Sequence, residues 1–582
     1  MKTNSSYTKS FSVQVYVLCA SVILFSLPSC SNKQKADLIL HNGVIYTVDS
    51  AFSNAQSFAV KDGKLIAVGT NEEILSKYEA KETIDVEGKA VYPGFIDSHC
   101  HFYGYGEGLQ RVDLVGTKSF DEVVDRVVKY SREHPDAKWI IGRGWDQNDW
   151  TVKEYPKRYR LDKLFPSTPV FLERIDGHAA LANAEALRHA GISVSSATEG
   201  GVIEMDQVTA EQGAEYQWSE QRENKELKNI SYPVTMPSGI LVDNAVDLVK
   251  KVIPKPSKSN IKDALLAAQR NCFGAGLTTV VDAGLEKNII DAIDEFHKSG
   301  ELKMRIYAML TDNKENKDHY LKNGIYKTDR LNVRSFKFYG DGALGSRGAC
   351  LLKPYSDKPG ERGFLLSKPG HFDSAAVLMM DHGFQMNTHC IGDSAVKLMI
   401  NINGRFSPEN NTIHRWRIEH SQVIAPEDLV HFNGFIPSVQ PTHATSDMYW
   451  AKDRLGERVK YAYAYNDLLK ASGMIALGTD FPVEHINPMF TFYAAVARKD
   501  LKGFPAGGFQ VENALSRENT LRGMTIWGAF ANFEENEKGS IEKGKFADFV
   551  ILDKDIMKCD IDSVPRVKVI YTYVNGEKVF SR

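Results

Sequence analysis

The amino-acid sequence predicts an α/β protein: a (β/α)8 TIM-like barrel, a small β-sandwich formed by both chain ends, and an inserted segment over the active site. Apolar strand patterns alternate with helical patterns about eight times through the middle of the chain, as in parallel barrels. Short strands separated by turn residues stand at both chain ends, and residues 176–245 fit no strand–helix unit. The chain has 582 residues, which is too many for one small core.

Residues 1–30 are predicted to direct export. Two lysines precede an apolar stretch at 11–27, which is short for a bilayer span, and a small-residue region then ends in Cys30. The pattern resembles a bacterial lipoprotein signal peptide with Cys30 as the lipidated residue; an ordinary signal peptide or an uncleaved anchor is the alternative. We expect an exported, membrane-anchored lipoprotein on the periplasmic or cell-surface side, and Ser31 favours the outer membrane. Residues 31–36 would form a short polar tether.

The two chain ends carry matching β patterns. Residues 37–92 read as short strands joined by Asn-Gly and Asp-Gly turn signals, and residues 536–582 contain two more strands before another Asn-Gly turn. Chain termini often lie close together in folded domains. We therefore predict one β-sandwich built from both segments, with the rest of the chain inserted between them.

The middle segment, residues 93–535, is predicted to form the barrel. Helical periodicity marks 121–131 and 262–273, and residues 176–245 are interpreted as an insertion over the active-site mouth. The predicted strands after the first are 139–142, 169–172, 278–282, 335–339, 384–388, 415–419, 435–440 and 474–478.

Composition argues against a nucleic-acid partner and against a disulfide framework. The net charge is −3 and charges of both signs are interspersed, so no nucleic-acid partner is indicated. Five of the seven cysteines lie beyond the signal region, scattered and odd in number, so they do not form a disulfide framework. The expected partners are a small-molecule substrate and the membrane, through the lipid anchor; a homodimer stays open.

His99 and His101 stand at the end of an apolar run. Side chains alternate between the two faces of a strand, so both imidazoles should point the same way and Cys100 the other. Two imidazoles side by side form half of a metal site. Two histidines one residue apart also occur by chance, so the pair alone is a weak signal.

More groups of the ligand type follow later strands. Lys337, His389, His420 and Asp480 each lie at the end of an apolar run. A single histidine at such a position usually bonds to backbone. Barrel enzymes, however, place their reactive groups at the C-terminal ends of strands, so the whole set predicts a metal-dependent active site.

The ordered set and its flanking motifs resemble the amidohydrolase superfamily. Within it, the closer match is to the YtcJ-like amidohydrolases of family 3, which include N-substituted formamide deformylase, and the resemblance covers roughly residues 37–580. The motifs that carry it are Pro-Gly-Phe-Ile-Asp-Ser-His-Cys-His (93–101), Gly-Arg-Gly-Trp-Asp (142–146), Asp-Gly-His-Ala-Ala-Leu-Ala-Asn (176–183), Asp-Gly-Ala-Leu-Gly-Ser-Arg (341–347), His-Cys-Ile-Gly-Asp (389–393), Glu-His (419–420), Gln-Pro-Thr-His (440–443), Gly-Thr-Asp-Phe-Pro-Val (478–483) and Gly-Lys-Phe-Ala-Asp (544–548).

The resemblance implies a role for each member of the set. The His99–His101 pair would hold one divalent metal ion, expected to be Zn²⁺, and His389 with His420 a second. Lys337 would be carboxylated and bridge the two ions. Asp480 would bind the water and act as general base, so that a metal-bound hydroxide attacks the substrate. Alternatively, Lys337 is an ordinary barrel lysine beside a mononuclear site; the binuclear arrangement is favoured.

Further residues in the motifs are candidates for the substrate pocket. His178 could donate a hydrogen bond to the substrate carbonyl oxygen, or be a surface loop histidine. Trp145 could wall the pocket, or simply pack. Asp341, Arg347 and His443 are predicted to contact polar groups of the substrate, or to support the residues that do.

The predicted function is metal-dependent hydrolysis of a C–N amide bond, in an N-substituted or cyclic amide. Hydrolysis of an ester or a lactone, or deamination of a ring, would use the same metal site. A ligand-binding lipoprotein without turnover is the alternative from another class. A transporter-associated binding protein would instead have two α/β lobes and no histidines at strand ends.

Overall fold

The computed structural model describes Ser10 and residues 33–135, 137–209, 234–406 and 414–582. Apart from Ser10, the predicted signal peptide, with Cys30, lies outside the described residues. No helix in the described ranges is long and apolar enough to cross a bilayer.

Eight parallel strands follow one another in chain order to form the barrel. The last strand and the first are joined by backbone, since the amide of Asp480 donates to the carbonyl of His99 at 2.7 Å. The predicted (β/α)8 barrel is therefore confirmed. Its strands are Phe95–Cys100, Leu277–Leu285, Arg305–Thr311, Leu331–Tyr339, Gln385–Cys390, Arg417–His420, Ile436–Val439 and Ala476–Leu477, and a short strand, Tyr326–Lys327, pairs with the fourth.

The two chain ends form two packed sheets, as predicted. Leu38, Phe58, Phe549 and Tyr573 share one core; the rings of Phe58 and Phe549 meet edge to face with centroids 4.9 Å apart. The four-stranded sheet contains Lys64–Gly69, Ser57–Lys61, Gln34–His41 and Tyr78–Asp85. The six-stranded sheet contains Glu577–Ser581, Val569–Val574, Phe549–Leu552, Ala90–Pro93, Val44–Tyr46 and Asn54–Ala55.

A third sheet, named here the outer sheet, stands beside the barrel. It contains Val112–Asp113, Ile140–Trp145, Val170–Arg174, Ala179–Ala182, Val234–Asp243 and Gly201–Val208. Our assignment of 139–142 and 169–172 to the barrel was wrong, because both strands lie in this sheet, and the third barrel strand, Arg305–Thr311, was missed. The two outer strands pair in parallel across a helical connection, so locally they have the pattern of a barrel unit.

Helices connect the strands and cover the barrel. The described α-helices are Asn71–Lys77, Phe102–Gly108, Phe120–Glu133, Tyr159–Leu164, Ala184–His189, Val246–Lys250, Lys258–Gly274, Lys287–Lys298, Lys314–Asn323, Pro369–His382, Asp393–Phe406, Pro441–Asp447, Ala451–Leu455, Tyr465–Ser472, Pro488–Ala497, Arg517–Gly523 and Ile526–Ala531. Short 3₁₀ segments are Gln147–Asp149, Pro426–Gly434, Gly456–Tyr461, Val511–Asn513 and Ile561–Arg566.

The barrel and the sandwich are joined by a buried ion pair. Arg305 is fully buried at the start of its strand, and its Nε donates to Asp548 Oδ2 at 2.5 Å. Asp548 ends the Gly-Lys-Phe-Ala-Asp motif of the C-terminal segment. Removal of either partner would leave a buried charge unpaired, so the pair fixes the sandwich against the barrel.

Candidate active site

The end of the first barrel strand presents two imidazoles to the barrel interior. His99 and His101 line the same cavity, while the thiol of Cys100 lies on the other side of the strand and contacts the carbonyl of Val281 at 3.4 Å. The structure thus shows the alternation expected from the sequence, and Cys100 packs in the core.

His99 is fixed in orientation by a buried carboxylate. Its Nδ1 lies 2.6 Å from Glu419 Oε2, and Glu419 is held in turn by Arg417, whose Nε is 2.7 Å from Oε1. All three side chains are buried. Arg417 and His99 outweigh the effect of burial and lower the pKa of Glu419 to about 2, so this carboxylate is charged. With Nδ1 engaged, the lone pair of His99 Nε2 is directed into the cavity.

Asp480 lies next to both histidines of the first strand. Its Oδ1 is 3.2 Å from His101 Nε2 and 3.6 Å from His99 Nε2, yet this buried oxygen has no hydrogen-bond partner among the described residues. Ligand atoms around a tetrahedral Zn²⁺, with bonds of about 2.0–2.2 Å, are about 3.3 Å apart. The three atoms therefore have the spacing of ligands directed at a common ion.

A second ligand-type cluster shares Asp480. It joins His420 and His443 to the same carboxylate, with all ligand atoms within 4.8 Å of one another. The two rings are stacked with centroids 5.9 Å apart, and His420 Nδ1 lies 2.7 Å from Gln440 Oε1. Burial holds the pKa of His420 well below its ordinary value, so the imidazole is neutral, which is the form that binds metal.

His389 and Lys337 complete the set predicted from strand ends. The ring centroid of His389 is 4.5 Å from that of His420, and Lys337 Nζ is 3.3 Å from His99 Nε2. Lys337 is 1% exposed, and burial lowers the pKa of its amine to about 8. The six predicted ligands all line one cavity, and the donor set of imidazoles, a carboxylate and an amine fits a divalent ion of the Zn²⁺ type.

His178 reaches the same cavity from the outer sheet region. Its ring centroid lies 5.0 Å from that of His389, and its Nδ1 is 2.7 Å from Asp243 Oδ1. Burial lowers the pKa of His178, but the hydrogen bond and charge of Asp243 outweigh it, so the pKa is raised overall. Asp243 therefore orients the ring and favours the form of His178 that donates hydrogen bonds.

The Asp243→Asn variant should lose activity while keeping the fold. The side chain of Asp243 packs tightly against Gly342, where an added Cβ would lie 2.7 Å from Oδ1. Asparagine has the same shape as aspartate and therefore fits this space. The ring of His178 would then lack its anionic partner. We expect kcat to fall about 10–100-fold, the usual effect of losing such a partner, with a smaller change in KM.

The measurement is steady-state kinetics of purified, metal-loaded protein beside its circular dichroism melting curve. Asp206→Asn is the matched control, since Asp206 lies in the outer sheet, bonds to Lys157 and does not line the cavity. An unchanged kcat in Asp243→Asn would show that His178 needs no orientation by this carboxylate.

Three of the predicted pocket residues lie away from the cavity surface. Trp145 is 1% exposed, packs in the core of the outer sheet and donates from Nε1 to the carbonyl of Leu172 at 2.8 Å. Asp341 is buried and accepts hydrogen bonds from backbone amides that include Ile391 and Gly392. Arg347 bonds to Asp357, with Nη2 and Oδ2 2.8 Å apart. His443, in contrast, lines the cavity, as His178 does.

Supporting residues not assigned a role from the sequence hold the site together. Asp97 is buried and accepts from Thr479 Oγ1 at 2.7 Å, which ties the His-x-His strand to the segment carrying Asp480. Glu419 and Gln440 orient His99 and His420. Each lies in a motif quoted above, so position beside a ligand was the available signal, but the contacts themselves join residues far apart in the chain.

The cavity above these groups has a volume of about 1100 Å³. It is lined by the six predicted ligands and His443, and the rest of its lining comes from both the barrel and the outer sheet. Tyr339, Trp450 and Phe171 contribute aromatic surface, while Arg143, Glu173 and Lys250 contribute charge. The space suits a small organic substrate rather than a macromolecule.

Comparisons with known proteins cover nearly the whole chain. A family model described as the Amidohydrolase family matches residues 82–214 and 220–580. The YtcJ amidohydrolase of Bacillus subtilis strain 168 is 29% identical over 558 residues, covering 94% of this chain and 99% of that protein. N-substituted formamide deformylase of Arthrobacter pascens is 24% identical over 581 residues, with coverage of 94% and 99%.

A solved structure has the same architecture. An uncharacterized metal-dependent hydrolase from Pyrococcus horikoshii OT3 superposes with a TM-score of 0.70 at 27% sequence identity. The match covers 90% of this chain and 99% of that one. The shared architecture thus extends over nearly the whole of both chains.

Proposed function

Because this chain belongs to the amidohydrolase family of metal-dependent hydrolases, we propose that it hydrolyses the C–N bond of an N-substituted or cyclic amide. The resemblance to YtcJ-like amidohydrolases seen in the motifs is confirmed. The observation that carries the proposal is the cluster of His99, His101 and Asp480 in the cavity, with their ligand atoms within 4.8 Å of one another.

Two ligand groups are proposed for the metal ions. His99, His101 and Asp480 would hold the first ion. Lys337, carboxylated, would bridge to the second, with His389 and His420. The second cluster in the structure contains His420 and His443, which supports a contact of His443 with the ion or the substrate. When bound, Zn²⁺ would lower the pKa of its water to about 7 and polarise the carbonyl group of the substrate.

The protein side chains divide the remaining work. Asp480 is charged, because the neighbouring imidazoles outweigh the effect of burial and hold its pKa well below the ordinary value. It can therefore take a proton from the water and pass it to the leaving nitrogen. His178, with Nδ1 bonded to Asp243, leaves Nε2 to donate to the carbonyl oxygen. The leaving nitrogen needs the proton that Asp480 carries, because it departs readily as a neutral amine and poorly as an anion.

The substrate class rests on similarity and on the shape of the cavity. N-substituted formamide deformylase matches 94% of this chain, and its name describes an N-substituted amide as substrate. The aromatic side chains of Tyr339 and Trp450 offer surface to an apolar N-substituent. Together they support an N-substituted amide ahead of an ester, a lactone or an aminated ring.

Substrate profiling tests the proposal. The zinc-loaded protein is assayed with N-alkyl and N-aryl formamides, N-acetylated amines and lactams, beside esters and lactones of matched skeleton and amino-substituted rings. We expect release of amine from at least one amide class at a kcat/KM at least about tenfold above the matched ester, with no turnover after chelation. Preference for esters or lactones, or release of ammonia from the rings alone, would overturn it.

A further inference from the structure

The cavity extends beyond the ligand-type residues along one face of the outer sheet. Ile141, in the strand Ile140–Trp145, and Trp139, directly before this strand, line that part of it together with Phe171 of the neighbouring strand. Alternate residues of a strand share a face, and Phe171 lies beside Ile141 in register. We name the part of the cavity over these three side chains the side channel.

The surface of the side channel is apolar. Phe171 is buried, whereas Trp139 and Ile141 are only partly buried although they line the cavity. Ile253, also partly buried, lines the cavity from the segment that follows the helix Val246–Lys250. All four side chains belong to one apolar core or pack against it. Apolar surface that stays open in a concave site continuous with reactive groups is typical of a ligand pocket.

The charged residues in the adjoining wall of the cavity balance one another. Glu173 pairs with Lys250, with Oε1 and Nζ 2.5 Å apart, and with Arg111 at 3.8 Å. Arg111 also pairs with Glu107 at 3.2 Å. The wall contains Arg111, Arg143 and Lys250 beside Glu107, Glu173, Asp176 and Asp247. Because cations and carboxylates are nearly equal in number, this wall favours an uncharged ligand, and the methylene stems of its long side chains offer further apolar surface.

The side channel begins beside the group proposed to contact the carbonyl oxygen. Arg143 follows Ile141 on the same strand face, and a Cβ placed on Gly177, directly before His178, would lie 3.4 Å from Arg143 Nη2. Side chains at 139 and 143 are about 13 Å apart along a strand that rises about 3.3 Å per residue. A formyl group at His178 would not reach the apolar part, whereas an extended alkyl chain would.

We propose that the side channel binds the acyl group of the substrate, so that the preferred substrates are amides whose acyl group is an extended alkyl chain. The inference rests on the proposed function for the identity of the bond, and on the side channel for the chain. With the leaving nitrogen at Asp480 and the carbonyl oxygen at His178, the acyl group is the substituent left for the channel. Ile141 and Trp139 are thereby specificity-determining residues and take no part in proton transfer.

Binding of alkyl hydroxamic acids tests this inference apart from hydrolysis. A hydroxamate binds Zn²⁺ through its two oxygens, and its alkyl chain takes the place of the acyl group. Isothermal titration calorimetry on the zinc-loaded protein compares acetohydroxamic, butanohydroxamic, hexanohydroxamic and octanohydroxamic acids. Affinity should increase with chain length, and octanohydroxamic acid should bind at least about tenfold more tightly than acetohydroxamic acid, which requires burial of about two methylene groups.

Two variants of Ile141 place the chain in the side channel. Ile141→Trp fills the channel, so the advantage of octanohydroxamic acid should fall to within about twofold, while binding of acetohydroxamic acid stays nearly unchanged. Ile141→Asn leaves the channel open but makes its wall polar, and should lower the advantage at least about threefold. The matched control is Ile325→Trp, since Ile325 is 36% exposed, does not line the cavity and should keep the full advantage. Circular dichroism melting curves verify that each variant is folded.

A wild-type affinity that does not depend on chain length, or undetectable binding of octanohydroxamic acid, would overturn the inference. So would an advantage that survives in both Ile141 variants, because the chain would then lie elsewhere in the cavity. If the advantage depends on Ile141 but no amide is cleaved, the inference stands and the proposed function fails. If amides are cleaved and a longer chain gives no advantage, the proposed function stands and the inference fails.

Discussion

The Asp480→Asn variant is expected to lose at least about 10³-fold in kcat while remaining folded, within the range that general acid–base groups contribute. Asp480 is the carboxylate shared by both ligand clusters. Its Oδ1 is buried without a hydrogen-bond partner among the described residues, and its pKa is well below the ordinary value, so it is available as a charged base. Asparagine keeps the shape but cannot accept the proton, and it is a weaker metal ligand.

Initial rates and metal content should be measured on the same samples of this variant. The control is Glu484→Gln, another acid in the cavity wall. Burial raises the pKa of Glu484 to about 8, so it is mostly protonated at neutral pH and its amide replacement should change kcat less than about threefold. If Asp480→Asn kept more than a tenth of the wild-type kcat with its metal bound, another group would have to be the base.

Sequence reasoning found the floor of the site because its signals are local. A ligand such as His99 or His389 ends an apolar run, and the ends of parallel strands meet at one rim of a barrel. Strand alternation also gave the direction of Cys100. The sandwich could be predicted for the same reason, since both chain ends carry short strands with Asn-Gly turns.

The walls of the site were not predictable in that way. The strands Ile140–Trp145 and Val170–Arg174 pair in parallel, and the local pattern cannot tell which sheet a parallel pair joins. As a result Trp145 was expected at the pocket but lies in the core of the outer sheet, whereas its neighbour Arg143 lines the cavity. The two residues are two positions apart and would share a face in a regular strand, but the pairing with Val170–Arg174 shifts register between them, so their side chains lie in different surroundings.

Contacts across long separations were also beyond the sequence. Glu419 orients His99 from the sixth barrel strand, and Asp243 orients His178 from a different strand of the outer sheet. Nothing near His178 in the sequence indicates Asp243, because the pairing depends on how two β strands are set side by side. From the sequence, ligands are therefore easier to identify than the groups that position them.

The second large effect is expected at Lys337. Apoprotein incubated with Zn²⁺ and bicarbonate should take up about two ions per chain, and the Lys337→Ala variant about one. The remaining ion would be held by His99, His101 and Asp480. Loss of the bridge should lower kcat by more than about 100-fold, which is the largest effect expected when a residue that only orients a ligand is removed. Metal analysis and initial rates on the same samples measure both effects.

The dependence on pH follows from the lowered pKa of Lys337 in the metal-free protein. Only the neutral amine reacts with carbon dioxide, and with a pKa of about 8 the neutral fraction rises as the pH increases through that value. Uptake of the second ion should therefore increase from pH 7 to pH 9 and require bicarbonate. At the ordinary pKa of 10.5, almost no neutral amine would be present in this range.

A second buried lysine provides the control for this prediction. Lys538 is 4% exposed, also has a lowered pKa and bonds to Glu534 away from the cavity, so Lys538→Met should leave the zinc content unchanged. One ion per chain, insensitive to bicarbonate and to Lys337→Ala, would establish a mononuclear site with Lys337 as a structural residue. Folded protein that binds no metal under any of these conditions would overturn the proposed hydrolase mechanism, because Asp480 and His178 alone do not supply an activated water.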